Sequence, residues 1–557
     1  MVVPELRPWR AARPHVVRAA NAVRPRLARA AGIVRPRAER AAAAAKPRIT
    51  RLTQAAKPQL ARITMPKAGR TWQYTASVAT AGLALAVGVA TAAGPWDSTG
   101  QRTAERDRAA ALERARGTDH GATAGTSDTG SSDASGTSGT AASGAPEPAP
   151  SAASVLAGLG GTTTTVKSAP AADALARVLD PLLADPALGA RRTAAVVDVA
   201  TGTLLYGAGA DEALTPASTT KIATAVAALA AMGADHRLTT RVALEPDTGE
   251  VVLVGGGDPT LTARTDAEGY ASLRTLAASA AAALKKRGIT RATLSYDTTL
   301  YAGSEIHPIG VNPNLAPVTA LTADEGRTDD SVKGPATRVA DPAADAASRF
   351  ADLLRSHGID TTPPGPSKAT ARAETLATVS SPPLSTLVER MLTNSDNDIA
   401  EALARQTAVA TGERADFAGA GRAIRAQLAK LGLPLSGVEF KDGSGLDRED
   451  RLTASLLTAL LAKAGDPAHP DLRPTLTGLP VAGFTGTLSS RYTDGAAGVV
   501  RAKTGTLTGV NTLAGTVVDQ DGSLLSFALL TSDTTDPTAA QAALDRAATA
   551  LAGCGCR

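Results

Sequence analysis

Cysteine is almost absent from this 557-residue chain: Cys554 and Cys556 are the only two, both within the last four residues. With one residue between them they cannot staple a core. A ring joining them would be strained, and an intermolecular or small-thiol partner is equally open; the plain expectation is an exposed tail without a role. Histidine is nearly as scarce, and His15, His120, His236, His307, His357 and His469 show no paired spacing. A zinc peptidase is therefore not indicated, and no metal or cofactor is expected. A nucleophile elbow of the form Gly-x-Ser-x-Gly is missing, which argues against an α/β-hydrolase. Gly255-Gly256-Gly257 lacks the helix and lysine of a phosphate loop and is better taken as a tight turn. Aromatic residues make up only 3%, although 43% hydrophobic content is enough for a sizeable core. Negative charge is scarce in the first 70 residues, which hold 17 Arg and Lys against 2 Glu. The net +5 is thus a property of one tail and says nothing about the partners of the folded part.

What is present is arranged in order. Residues 1–70 are rich in Arg, Ala and Pro, with Pro25, Pro36 and Pro47 interrupting any long helix, and are expected to be a disordered cytoplasmic tail. Residues 74–94 carry no charge and are long enough to span a bilayer. The basic excess before them places the N-terminus in the cytoplasm and the remainder outside. Ala90-Thr91-Ala92 has the small-x-small form of a signal-peptidase site, so secretion after cleavage near Ala92 is the alternative to an uncleaved single-pass anchor. The basic tail serves as an orientation signal, with no nucleic-acid partner expected. Residues 95–165 are dominated by Gly, Ser, Thr, Ala and Asp and form a flexible tether. Folded sequence then divides into a first catalytic part (166–235), an inserted domain (236–336) and a second catalytic part (337–552), before the cysteine-containing tail (553–557).

Within the folded region, periodicity predicts a helix over 171–179 that stops before Pro181, and a hairpin from strands 193–198 and 203–206. A helix starts with Pro216 in its first position and runs to Met232, burying the face of Ile222, Ala225, Val226 and Leu229. A second hairpin (238–244 and 250–254) precedes a helix over 271–286 and a strand over 291–296. Asp341 caps a helix to 357, and 384–392 and 400–410 are further helices. Strands over 499–504, 511–519 and 523–531 form an antiparallel meander with a final helix over 537–551.

Ser218 and Lys221 are three apart at the start of the first long helix, hence neighbours on one face. A serine hydroxyl becomes a nucleophile when a base takes its proton, and a lysine held neutral by burial and the helix dipole can do so. Alone, Ser-x-x-Lys is common. Downstream, however, Ser395-Asp396-Asn397 sits where a loop meets a helix, and Lys503-Thr504-Gly505 ends a strand. The ordered set Ser-x-x-Lys, Ser-x-Asn, Lys-Thr-Gly is far more specific than any member.

With these motifs the chain resembles the D-Ala-D-Ala carboxypeptidases and endopeptidases of the low-molecular-mass class C penicillin-binding proteins. Gly256-Gly257-Asp258-Pro259-Thr260-Leu261, Asp442-Gly443-Ser444-Gly445-Leu446, Leu479-Pro480-Val481-Ala482-Gly483 and Ala502-Lys503-Thr504-Gly505-Thr506-Leu507 support it, and it covers 171–552. The resemblance implies an α/β, β-lactamase-like transpeptidase fold: an antiparallel sheet flanked by helices, with an inserted domain. It implies peptidoglycan stem peptides as substrate, with Ser218 attacking the carbonyl between two D-alanines and Lys221 as base. Ser395 would relay the proton to the leaving amine, and Asn397 would hold the substrate amide. Lys503 would add positive charge, Thr504 would bind the terminal carboxylate, and Gly505 would let the strand approach the substrate. The backbone N–H groups of Ser218 and Thr506 would form the oxyanion hole, and β-lactams would trap Ser218 as a slow ester. Ser218 and Ser395 lie 177 residues apart, whereas the similar class A β-lactamases keep these motifs close, hence the insert. It is shorter than in many class C relatives. Asp258 and Arg448 are candidates for specificity or, more plainly, for packing. The alternative from another class is a non-catalytic, membrane-tethered wall-binding protein with the same fold; retention of every motif residue argues against it.

Overall fold

The computed structural model describes residues 170–492 and 495–555. The tail, span and tether expected over 1–70, 74–94 and 95–165 lie outside them. Among the described residues no helix is long and apolar enough to cross a membrane.

Helix α1 (Ala172–Leu183) runs through Pro181 instead of stopping before it. An interior proline costs about 3 kcal/mol, but Leu175, Leu179 and Leu183 are buried in a core shared with the C-terminal helix. Tyr206 also donates a 2.7 Å hydrogen bond to Asp180, so tertiary packing wins. Strands β1 (Arg191–Asp198) and β2 (Leu204–Ala208) make the expected hairpin, and α2 (Thr220–Met232) follows. Next come β3 (Thr239–Leu244), β4 (Val251–Val254), α3 (Leu273–Lys286), β5 (Arg291–Ala292) and β6 (Leu294–Asp297). They are followed by α4 (Pro342–Ser356), β7 (Asp360–Thr361), β8 (Gly365–Pro366) and β9 (Glu374–Ser380). Five helices then occur in succession: α5 (Leu384–Asn394), α6 (Asn397–Thr411), α7 (Phe417–Lys430), α8 (Ala454–Gly465) and the short α9 (Pro474–Thr477). The meander β10 (Arg501–Leu507), β11 (Val510–Val518) and β12 (Leu524–Ser532) ends in α10 (Pro537–Ala552).

The first sheet has the order β10-β11-β12-β1-β2 and is antiparallel throughout. Alternate residues of its strands face opposite ways, and both faces are covered. Val196, Leu513, Phe527 and Leu529 pack with α1 and α10. Ala195, Ala514, Ala528 and Leu530 pack with α2 and α5 to α8, the alanines letting those helices lie close to the sheet. Helix α2 is therefore buried all round from Thr220 to Leu229, not on one stripe; a helix apolar on every side belongs between layers.

The second sheet, order β8-β6-β4-β3-β9, packs on α3 and α4. Its extent corrects the expected boundary at 336: β9 pairs with β3 from Thr239↔Ser380 to Leu244↔Glu374, so 337–380 belong with the insert. Edge strand β9 is exposed or half-exposed along its whole length and lacks a buried face, so it offered no alternation to detect. Cys554 corrects another expectation. It is disulfide-bonded and buried in the core beneath α10, not on an exposed tail.

Candidate active site

The three motifs meet where β10 passes the N-terminus of α2 and the junction of α5 with α6. Ser218 lies not in a regular helix begun by Pro216, as expected, but on a 3-10 turn, Ala217–Thr219, that leads into α2. Ala217 takes φ +49° to make the bend, a conformation that costs about 1 kcal/mol or more for a residue with a Cβ. What holds it is the Pro216 carbonyl, which accepts from Thr219 Oγ1 at 2.7 Å and from Thr512 Oγ1 of β11 at 2.8 Å. A Cβ on Gly505 would fall 2.1 Å from Thr512 Oγ1 and 2.7 Å from the Pro216 carbonyl. The glycine therefore lets β10 fit against the Ser218 turn, a different reason from the expected approach to substrate. Strand β10 also runs through Lys503-Thr504-Gly505 to Leu507 and does not end there.

Lys221 is fully buried. Its Nζ lies 3.0 Å from Ser218 Oγ, 2.6 Å from Asn397 Oδ1 and 2.6 Å from the Ser444 carbonyl. Burial pushes its pKa down to about 8, against the opposing carboxylates of Asp442, Glu401, Asp396 and Asp450. An ammonium can donate to all three neighbours; a neutral amine can donate to Asn397 and Ser444 and turn its lone pair to Ser218. Lys503, also fully buried, donates to Ser395 Oγ and to the Thr504 carbonyl, both at 2.9 Å. Burial, and then the charge of Lys221, hold its pKa well below the ordinary lysine value.

Ser395 closes α5 in the left-handed conformation, φ 57°. Asp396 then caps α6 by accepting from Ile399 N–H at 3.0 Å. Two helices thus aim Ser395 and Asn397 at the lysines. Asn397 was expected to hold the substrate amide. Here its oxygen is on Lys221 and its Nδ2 donates to the Asn314 carbonyl at 3.0 Å. Thr504 donates to Thr487 Oγ1 at 2.8 Å, and Thr506 is exposed beside Ser218. Two clefts open from the serines: one of ≈ 280 Å³ towards Asn314, Asn397 and Leu446, and one of ≈ 290 Å³ towards Thr487, Arg491, Thr504 and Gln541. Asp258 and Arg448 take the packing role: Asp258 is buried and accepts from Thr260 N–H and Oγ1, and Arg448 donates to the Thr508 carbonyl.

A buried ion cluster ties the insert to this junction. Glu325, at φ +54°, accepts from Arg327 at 2.8 Å and from Arg390 at 2.6 Å. Arg390 also lies 3.7 Å from Asp396, and Arg338 pairs with Asp398 at 2.8 Å. Two of these carboxylates flank Asn397 directly. Arg390→Met should leave Glu325 and Asp396 without their shared cation. Glu325 keeps Arg327 at 2.8 Å, so the expected loss is about 1 to 3 kcal/mol, read as a lower denaturant midpoint.

Several groups around the site carried no recognisable signal in the sequence. Glu401, Asp450, Thr487 and His307 belong to no motif, and Ser444 acts through its backbone. Only the turn-forming stretch Asp442-Gly443-Ser444-Gly445 marked the loop that holds that carbonyl.

An antiparallel sheet between helical layers, with Ser-x-x-Lys, Ser-x-Asn and Lys-Thr-Gly brought together at its edge, defines a penicillin-binding, β-lactamase-like enzyme. The model of the D-Ala-D-Ala carboxypeptidase 3 (S13) family matches residues 175–337 and 329–551, and the chain belongs to that family of serine-type carboxypeptidases. Carboxypeptidase DacB of Mycolicibacterium smegmatis is 38% identical over 406 residues, 70% of this chain and 85% of that protein. The D-alanyl-D-alanine carboxypeptidase of Actinomadura sp. (strain R39) is 31% identical over 445 residues, covering 62% and 79% respectively. Among solved structures, penicillin binding protein 4 (dacB) of Haemophilus influenzae superposes with a TM-score of 0.55 at 21% identity, over 67% of this chain and 97% of that one. The fold is thus shared with that protein.

Proposed function

We propose that the chain removes the terminal D-alanine of peptidoglycan stem peptides through an acyl-enzyme on Ser218, and that β-lactams acylate the same oxygen. The observation that carries this is the Lys221 amine, 3.0 Å from Ser218 Oγ, with acceptors for its other protons at 2.6 Å on either side. In the first step the Ser218 proton passes to Lys221 as Oγ bonds to the carbonyl carbon. The oxyanion is held by the N–H groups of Ser218 and Thr506. The C–N bond then breaks, and the proton that Lys221 took passes through Ser395, which Lys503 contacts, to the leaving amine, leaving Lys221 neutral again. In the second step water attacks the ester carbon and gives a proton to Lys221, which returns it to Ser218 Oγ as the C–Oγ bond breaks. Thr504 binds the carboxylate of the departing D-alanine in the Thr487 cleft, Asn397 turns from Asn314 to hold the scissile amide, and the stem peptide lies towards Leu446.

The uncharged run 74–94 behind a basic flank supports a location on the outer face of the membrane, held by an N-terminal anchor. The test of the reaction is digestion of purified muropeptides by the full-length chain, with products read by mass. Pentapeptide stems should lose free D-alanine. Cleavage of cross-linked dimers would add endopeptidase activity, and intact stems after complete digestion conditions would refute the proposal.

A further inference from the structure

Behind Lys221, away from both clefts, lies a set of buried polar groups that the reaction above does not use: His307, Glu401, Asp442 and Asp450, none more than 4% exposed. Three of them converge on one loop. Asp442 accepts from the N–H groups of Ser444, Gly445 and Asp447 at 3.1, 2.6 and 2.7 Å. Glu401 accepts from Gly443 and Ser444 N–H at 3.1 and 2.9 Å. From α2, Thr224 donates to the Gly443 carbonyl at 2.6 Å. These bonds fix the segment whose Ser444 carbonyl accepts a hydrogen bond from Lys221. A neutral amine has two N–H groups and one lone pair. With Asn397 and Ser444 held still, the lone pair is confined to Ser218; if the Ser444 carbonyl moves, the amine can rotate away.

His307 completes this support from the insert. Its Nε2 lies 3.0 Å from Asp442 Oδ2, and its ring stands edge-on to Phe417 with centroids 5.0 Å apart. Nδ1 accepts from Ile309 N–H at 3.2 Å, which places the proton on Nε2 and makes it a donor to Asp442. Facing His307 are Asp442, Glu401 and Asp447; facing Lys221 are Asp442, Glu401, Asp396, Asp450 and Lys503. Loss of the His307 donor leaves more of the Asp442 charge acting on Lys221, and the loop loses one of its ties to the insert.

We infer that His307 is a positioning residue for Lys221, acting through Asp442 and the 442–447 loop. The inference rests on the reading of Lys221 as the base. Two substitutions of similar polarity separate its two hydrogen bonds: His307→Gln keeps a donor within reach of Asp442, whereas His307→Asn keeps an acceptor for Ile309 N–H and loses that donor. The full-length variants are acylated with a fluorescent penicillin from about pH 6 to about pH 10. His307→Gln should stay within about 3-fold of wild type, while His307→Asn slows at least about 10-fold and its rate midpoint moves to higher pH, because unshielded negative charge stabilises the ammonium. The affinity of the initial complex and the melting temperatures of the two variants should agree. Equal rates and equal midpoints in the two overturn the inference. Where neither histidine variant folds, Thr224→Val decides it by freeing the loop from the other side. Slower acylation supports the inference, and a wild-type rate overturns it. A wild type that forms no adduct overturns the acyl-enzyme reading of Ser218 instead, so the two failures are distinguishable.

Discussion

Ser218→Ala is expected to lose all covalent labelling by penicillin while remaining folded. The wild-type chain should gain one penicilloyl mass on the peptide that carries Ser218, and the variant none. Hydrolysis of D-Ala-D-Ala stems should fall by about 10⁶, the scale on which serine hydrolases lose turnover when the nucleophile is removed. The fold should tolerate the change because the bonds that pin the turn are made by the Pro216 carbonyl, Thr219 and Thr512, not by Ser218 Oγ. Lys221 keeps two of its three acceptors, Asn397 and Ser444. A half-buried Ser→Ala change outside any cap or core costs within about 0.5 kcal/mol, so unfolding midpoints should coincide. An adduct that persists in Ser218→Ala would move the nucleophile elsewhere, with Ser395 the next hydroxyl along the cleft.

The site was legible where chemistry is local in the chain, and illegible where it is assembled by topology. Ser218 and Lys221 are one turn apart, Ser395 and Asn397 straddle a cap, and Lys503 to Thr506 share a strand, so each fragment could be recognised before its partners were placed. The 3-10 turn at Ala217 was not foreseeable. It depends on Thr512 in β11 reaching back to the Pro216 carbonyl, a contact no window around Ser218 contains. His307 has no histidine or cysteine partner at a metal-like spacing. Its actual partner is Asp442, 135 positions later. The fold shows the same division. The hairpin β1–β2 and the meander β10 to β12 announce themselves through turns and alternation. Strand β9 was invisible because it pairs with β3 far back in the chain and leaves its side chains exposed or half-exposed. Helices α7 and α8 carry local signals as well, Asp416 and Thr453 as N-caps.

Lys221→Met is expected to slow acylation by about 10² to 10⁴, the usual contribution of a positioned general base, and to change the shape of the pH dependence. As the proposed base, Lys221 must be neutral in the wild type. With burial holding its pKa at about 8 against an ordinary 10.5, the acylation rate should climb as pH rises towards 8 and level off above it. Stability should move in the same sense. Between pH 8 and 10.5 the unfolded chain binds a proton that the folded chain has released, so stability rises through that window and falls back as pH drops through 8. Lys503, also held low by burial and by Lys221, adds to the same slope. In Lys221→Met the rising limb near pH 8 should vanish, leaving a low, flat rate. Persistence of the limb at reduced amplitude would assign it to the other amine–hydroxyl pair in the cleft, Lys503 on Ser395 at 2.9 Å. The variant therefore separates two arrangements that the wild-type pH profile alone would superimpose. Geometry favours Lys221, because it alone of the two lysines has Ser218 within hydrogen-bond reach and a partner for each remaining proton.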